Sequence, residues 1–275
     1  MNKKAIIISI AGKNLTKKEI KLIKLERPWG LILFKRDKLI PEANKNLSKE
    51  IKELWDIHFN KRSVAENKFF DSSNSYEKKI SNIHFVKNDE ELHSEKTLKF
   101  IKTLSTDICF ITGISIIKEP LLSELPKNTI NLHLGIIPFY KGAITMFWPF
   151  YFLEPTMAGT TYHIIDKFVD TGEIIHNNVP TLEYGDGMHD VASKAVVTAH
   201  RDINIVVGEI IKRVRKGIEP KKDISLRLKG KLFLKSDWKP EMLSLIYNHY
   251  DDKLVDLYLN NQISCPRAKL IKINN

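Results

Sequence analysis

Five short apolar runs limit how this chain can fold: KKAIIISI (3–10), GLILF (30–34), NIHFV (82–86), DICFITG (107–113) and TINLH (129–133). Each has the length of a strand rather than a helix, and apolar runs with little alternation belong to sheets covered on both faces. Helical patterns fall between them. Thr16 and Glu19 form a capping box opening a helix to about Leu25, and further helices are predicted over 46–59 and 89–104. Strand alternating with helix predicts a mainly parallel, doubly wound α/β sheet, whose ligand site lies beyond the carboxyl ends of its strands. Two more strands, GTTYHII (159–165) and EIIHNNV (173–179), are joined by DKFVDTG. GDGMHD then opens a long helix with Met188, Val191, Ala195, Val196, Ala199 and Ile203 at helical spacing, and Asp186 and His189 read as its capping groups.

The organisation read from these patterns is a main domain over 1–216 and a small α+β module over 217–275. In the latter, SLRLKGKLFLK alternates around Lys229-Gly230 like a hairpin, and two short helical patterns follow at 239–248 and 251–260. The sheet is Rossmann-like, yet no G-x-G-x-x-G follows its first strand, which disfavours a dinucleotide site. Cys109 and Cys265 lie far apart, and Cys109 sits in an apolar strand, so neither a disulfide framework nor a metal cluster is expected. No apolar run has the eighteen or so residues a membrane span needs, and the expected location is the cytoplasm. The formal charge of +11 is scattered, with only short basic pieces such as KRVRK (212–216). Such a surface suits anionic small molecules better than nucleic acid.

The candidate chemistry lies where TINLH runs into NLHLGIIPFYKG (131–142). Asn131 and His133 are two residues apart and share one face of the strand, while Gly135, Pro138 and Gly142 shape the loop beyond. Asp170, in VDTG, falls in a loop that can return to the same edge. An imidazole beside a carboxylate is a tunable acid or base, and an amide donates to an oxygen gaining negative charge. That set suits attack of an amine on a carbonyl without a covalent enzyme intermediate. His133, His163, Asp166 and Asp170 lack metal-site spacing, and no metal is expected.

N-x-H-x-G-x-x-P-x-x-x-G, followed by an Asp in D-T-G 37 residues after the His, resembles the formyltransferases that use N10-formyltetrahydrofolate. The likeness is strong over 100–200 and more diffuse over 28–100. It implies a formyltransferase fold, with Asn131, His133 and Asp170 as the catalytic trio. His133 would take the amine proton, Asp170 would orient the imidazole and raise its pKa, and Asn131 would bind the formyl oxygen. Phe110, Ile111, Thr112, Gly113 and Ile114, with Ile165, Asp166 and Gly172, would line the pterin site, largely through backbone groups. Tyr140, Lys141 and Trp148 are candidate acceptor contacts. FWPFYFLEP, HFNKRSVAENKFF (58–70) and the KGKLFLK…DWKPE tail resemble the sugar-modifying branch, whose acceptor is an amine on a nucleotide-linked sugar. A homodimer is compatible with that branch. Residues 1–37 are atypical, and LTKKE through PWGLILFKR resembles the opening of family-3 β-N-acetylglucosaminidases. Alternative readings are a methionyl-tRNA or other amine formyltransferase, a formyltetrahydrofolate hydrolase, and a non-catalytic folate-binding protein.

Overall fold

A computed structural model describes residues 47–70, 83–221 and 228–273 in full, and residues 4–10 and 30–35 as backbone. The helix opened by Thr16 and Glu19, most of the atypical front end, and the SLR arm of the expected hairpin lie outside the described residues.

The strands are β1 (Lys4–Ile10), β2 (Gly30–Lys35), β3 (Ile83–Val86), β4 (Ile108–Thr112), β5 (Thr129–His133), β6 (Tyr140–Gly142), β7 (Thr160–Ile164), β8 (Ile174–Asn178) and β9 (Lys231–Phe233). Seven of them form one sheet in the order β3-β2-β1-β4-β5-β7-β8, while β6 and β9 pair separately. β1 to β5 are parallel, and the order reverses between β1 and β4, as a doubly wound sheet requires. β7 runs antiparallel to β5, and β8 antiparallel to β7. The apolar runs are thus strands, as their continuity predicts.

Three helices matter for the site. The first, α1 (Lys49–Phe69), is capped by Ser48 and runs ten residues past the predicted end at 59. HFNKRSVAENKF holds no Gly or Pro to stop it, and an Arg62–Glu66 pair at 2.8 Å supports the added turns. The helix predicted over 89–104 divides, because Ser94 turns extended and caps a new helix, α2 (Glu95–Leu104). The long α3 (Met188–Arg215) starts at Gly187. Its first turn is capped from the tail, Met188 N donating to Asp252 Oδ1 at 2.9 Å, while Asp186 instead accepts from Glu183 N and Lys194 Nζ. The expected capping role of Asp186 and His189 therefore passes to Asp252. No helix among the described residues is long and apolar enough to cross a membrane.

The sheet's two faces have different covers. On one, Phe110, Ile130, Tyr162 and Ile164 pack against Ala199, Ile203, Val206 and Ile210 of α3. On the other, Cys109 and Ile111 pack against Ile101, Leu104, Leu92 and Leu121. Cys109 is a free thiol whose pKa burial pushes up to about 12. A third cluster lies off the sheet, where Leu54 of α1 meets Tyr140, Trp148 and Phe150, together with Phe233, Leu243, Ile246 and Leu254 from the tail. The tail then returns to β8, with Asn177 N donating to Ile271 O at 2.8 Å.

Tyr162 fixes the covered face to α3. It is fully buried, and its hydroxyl donates to Ala199 O at 2.7 Å. Tyr162→Ala is expected to lower unfolding stability by about 3–5 kcal/mol, and Tyr162→Phe by about 1 kcal/mol, in urea titrations.

Candidate active site

The register of β5 and β7 assembles the site. Asn131 and His133 point to the face of β5 away from α3, and Asn131 pairs with His163 across the antiparallel ladder. Residues directly opposite share a face, so His163 joins the other two. Its Nδ1–H donates to Ile164 O at 3.0 Å, leaving Nε2 to accept from Asn131 Nδ2 at 3.1 Å. The amide is thereby held beside His133.

Asp170 arrives by a less direct route. Ile164 pairs with Ile130, so the loop after β7 leaves from the amino end of β5 and has to fold back across the sheet face. Three features drive that return. Asp166 Oδ1 accepts from Phe168 N (2.9 Å) and Thr171 Oγ1 (2.8 Å), curling the loop. Asp170 takes a left-handed backbone, φ 52°. Ile164 N then donates to Glu173 O at 2.9 Å, and a Cβ on Gly172 would stand 1.8 Å from Ile164 O, so only glycine closes the loop.

The Asp170 carboxylate sits between both imidazoles. Oδ2 lies 3.4 Å from His133 Nδ1, Oδ1 lies 3.4 Å from His163 Nε2, and Oδ2 accepts from Gly142 N at 2.7 Å. Burial alone would raise its pKa. The positive charge that His133 and His163 carry when protonated, together with the Gly142 N–H, outweighs burial and holds it down at about 2. His133 donates Nε2–H to Tyr140 O at 2.7 Å, which leaves Nδ1 as its acceptor nitrogen facing Asp170. Burial lowers the His133 pKa, and Asp170 and the Tyr140 carbonyl oppose it only in part. The expected upward pull of Asp170 is present, but the net shift is downward.

Other expected residues divide between the site and the core. Ile111 is in register with Asn131 and shares its face, and Ile114 and Ile165 pack on the same cluster as Ile111. Thr112 and Gly113, with φ 63°, end β4 beside them. The Phe110 side chain points to the opposite face, against Tyr162, so only its backbone is placed to serve a ligand there. Tyr140 and Trp148 are core side chains. Tyr140 hydroxyl donates to Glu154, Trp148 Nε1 donates to Ala143 O at 3.0 Å, and both rings stack on Phe233. The site uses the Tyr140 carbonyl instead of its ring. Lys141 is buried near Asp170; burial lowers its pKa and the Asp170 charge opposes that. In the sequence His163 stands only as a histidine without metal-site spacing, and the structure adds it to the site. The antiparallel pairing of β7 was the signal that would have placed it.

Residues 58–206, just over half the chain, match the formyl transferase domain. The chain belongs to the formyl transferase family. All four residues of the site lie inside that match. The methionyl-tRNA formyltransferase of Thermodesulfovibrio yellowstonii is 28% identical over 130 residues, 47% of this chain and 41% of that protein. That of Azobacteroides pseudotrichonymphae is 26% identical over 159 residues, 54% of this chain and 48% of that protein. The chain thus spans less than half the length of these curated relatives. Phosphoribosylglycinamide formyltransferase from Streptococcus pneumoniae TIGR4 superposes with a TM-score of 0.50 at 17% identity, covering 77% of this chain and 99% of that one. A sugar N-formyltransferase from Shewanella sp. FDAARGOS_354 gives 0.50 at 16% identity, covering 86% and 78%. At these identities the likeness concerns the fold, which is that of the formyltransferases.

The Asp170 carboxyl is held at about 2 against an ordinary 3.8, so its ionised form favours the folded state above pH 4. A depressed carboxylate loses that contribution as pH falls from about 4 towards 2. In urea unfolding, wild type is expected to exceed Asp170→Asn at pH 7, and the gap should close across that acid window.

Proposed function

We propose that this chain transfers the formyl group of N10-formyltetrahydrofolate to a primary amine, and that the amine belongs to a nucleotide-linked amino sugar. The observation that carries the reading is the convergence of Asn131, His133, His163 and Asp170 on one sheet face. The amine nitrogen attacks the formyl carbon, and the carbonyl electrons move onto oxygen. Asn131 donates an N–H to that oxyanion, in an orientation set by His163. The nitrogen then loses a proton to His133. Nε2 already donates to Tyr140, so the proton is taken at Nδ1, and Asp170 stabilises the resulting imidazolium. Collapse of the tetrahedral carbon expels N10 of the folate, which takes back the proton, leaving a formamide and tetrahydrofolate. The strand end 110–114 and the loop 165–172 are the proposed folate walls.

Support for the sugar acceptor comes from three segments that resemble the sugar-modifying branch and pack on one another. Trp55 and His58 of α1, Phe147 after the loop, and Trp238 of the tail share one aromatic cluster. After β9, residues 235–259 turn through short helices rather than strands. Methionyl-tRNA is the competing acceptor, because the relatives reported above are methionyl-tRNA formyltransferases.

The deciding assay incubates the protein with N10-formyltetrahydrofolate and either a panel of nucleotide-linked amino sugars or methionyl-tRNA, and looks for the formamide by mass spectrometry. Formamide on a sugar is expected. Formylation of methionyl-tRNA alone would reassign the acceptor, and folate turnover with no acceptor present would make the protein a hydrolase.

His133→Ala and Asp170→Asn are expected to lower kcat by about 10²–10⁴-fold with circular dichroism unchanged. Near-wild-type turnover in either variant removes that residue from the mechanism. Because burial lowers the His133 pKa, the base stays neutral below its ordinary 6.5, and the acid limb of the kcat/KM profile should fall below that value. A limb above pH 7 would show that another group supplies the base.

A further inference from the structure

The geometry points to β9, and to Phe233 in particular, as a positioning element for the His133–Asp170 pair. This rests on the formyl-transfer reading for its activity readout only. Two contacts that fix the pair come from the backbone of the three-residue strand β6. Tyr140 O accepts from His133 Nε2 at 2.7 Å, and Gly142 N donates to Asp170 Oδ2 at 2.7 Å. A shift of β6 therefore moves both catalytic groups together.

β6 does not belong to the main sheet. Its strand partner is β9, paired in parallel with Tyr140 opposite Lys231, Lys141 opposite Leu232 and Gly142 opposite Phe233. The ribbon continues on either side, with Lys231 N donating to Phe139 O at 3.3 Å and Ala143 N to Phe233 O at 2.8 Å. The two backbones approach so closely that side chains are excluded at two points. A Cβ on Gly142, whose φ is +91°, would lie 2.2 Å from Phe233 O, and one on Gly230 would lie 1.8 Å from Pro138 O. Such a fit fixes β6 along its length and across it.

Phe233 locks the ribbon down. It is 2% exposed and stacks on Tyr140 at 5.8 Å and on Trp148 at 4.6 Å, with interplanar angles of 13° and 18°. Trp148 in turn donates to Ala143 O, one residue past β6. Phe233 thus clamps β6 from its side-chain layer while its carbonyl holds the following residue. Its ring contacts are with Tyr140, Trp148 and Phe152, and it acts on the pair through Tyr140 and Gly142. By contrast Leu254, fully buried in the same cluster, belongs to the short helix Leu254–Leu259 and has no part in the ribbon.

The test compares Phe233→Ala, Phe233→Leu and Leu254→Ala, each assayed below its unfolding transition. Phe233→Ala is expected to lower kcat at least tenfold with both KM values within about threefold. Phe233→Leu should recover most of that loss, and Leu254→Ala should keep wild-type kcat despite comparable destabilisation. Alongside, ¹⁵N-histidine NMR follows the His133 Nε2–H signal, which should shift or exchange faster in Phe233→Ala and not in Leu254→Ala. If Phe233→Ala does not fold, Lys231→Pro replaces it, since it removes the N–H given to Phe139 at an exposed position and leaves the cluster filled. The same fall in kcat and change in the His133 signal are expected there.

Equal losses in Phe233→Ala and Leu254→Ala, or an unchanged His133 signal in the ribbon variants, would overturn the positioning role. Absence of formyl transfer in the wild-type protein would instead overturn the proposed function. The NMR comparison would still decide the role of β9.

Discussion

The site depends on a buried carboxylate that stays ionised. Asp170 is 8% exposed, and removing such a group from water costs several kcal/mol unless its oxygens are paired. Here Oδ2 takes the Gly142 N–H and faces His133, while Oδ1 faces His163. Those three contacts come from β6, β5 and β7, so the charge is stable only when all three strands are in place. The geometry of the site and its local stability are therefore one constraint here. A chain that misplaced β6 or β7 would leave the carboxylate without its partners and protonate it.

The reversed direction of β7 makes that arrangement possible. A parallel strand beside β5 would enter and leave at the same ends as β4, and its loop would project beyond the sheet. Running antiparallel, β7 puts His163 opposite Asn131 and releases its loop at the amino end of β5. The loop then crosses the face itself, carrying Asp170 over the two histidines. Gly172 and the Asp166 turn are consequences of this path, since a chain that returns so tightly needs one residue without a side chain and one that caps the bend.

The legible parts of the sequence were those set by local periodicity. Period-2 geometry put Asn131 and His133 on one face, continuous apolar runs marked β1 to β5, and helical spacing marked the buried stripe of α3. Other features depend on contacts between distant segments and leave no local trace. His163 needed the direction of β7. Tyr140 and Trp148 resembled acceptor contacts because aromatic residues near an active loop are ambiguous until their rings find Phe233, more than eighty residues later. The KGKLF alternation announced a strand correctly, and among the described residues that strand pairs with β6, which no turn signal encodes. Helix limits moved for a similar reason: α1 continues past 59 because nothing in it stops a helix, and a hydroxyl at Ser94 divides the next.

The backbone of β6 also sets the tautomer in which the site waits. A neutral imidazole has one N–H, and His133 gives it to the Tyr140 carbonyl. Nδ1 then faces the Asp170 oxygen with no proton between them, at 3.4 Å, longer than a hydrogen bond between such groups. Burial keeps the ring in that form, although protonation would satisfy both sides at once. The resting pair is thus one proton short of its best hydrogen bonding, and an amine attacking a carbonyl has one proton to lose. In the proposed transfer, lowering the basicity of His133 by burial, while keeping an anion beside it, leaves the ring neutral before the reaction and stabilises it once charged.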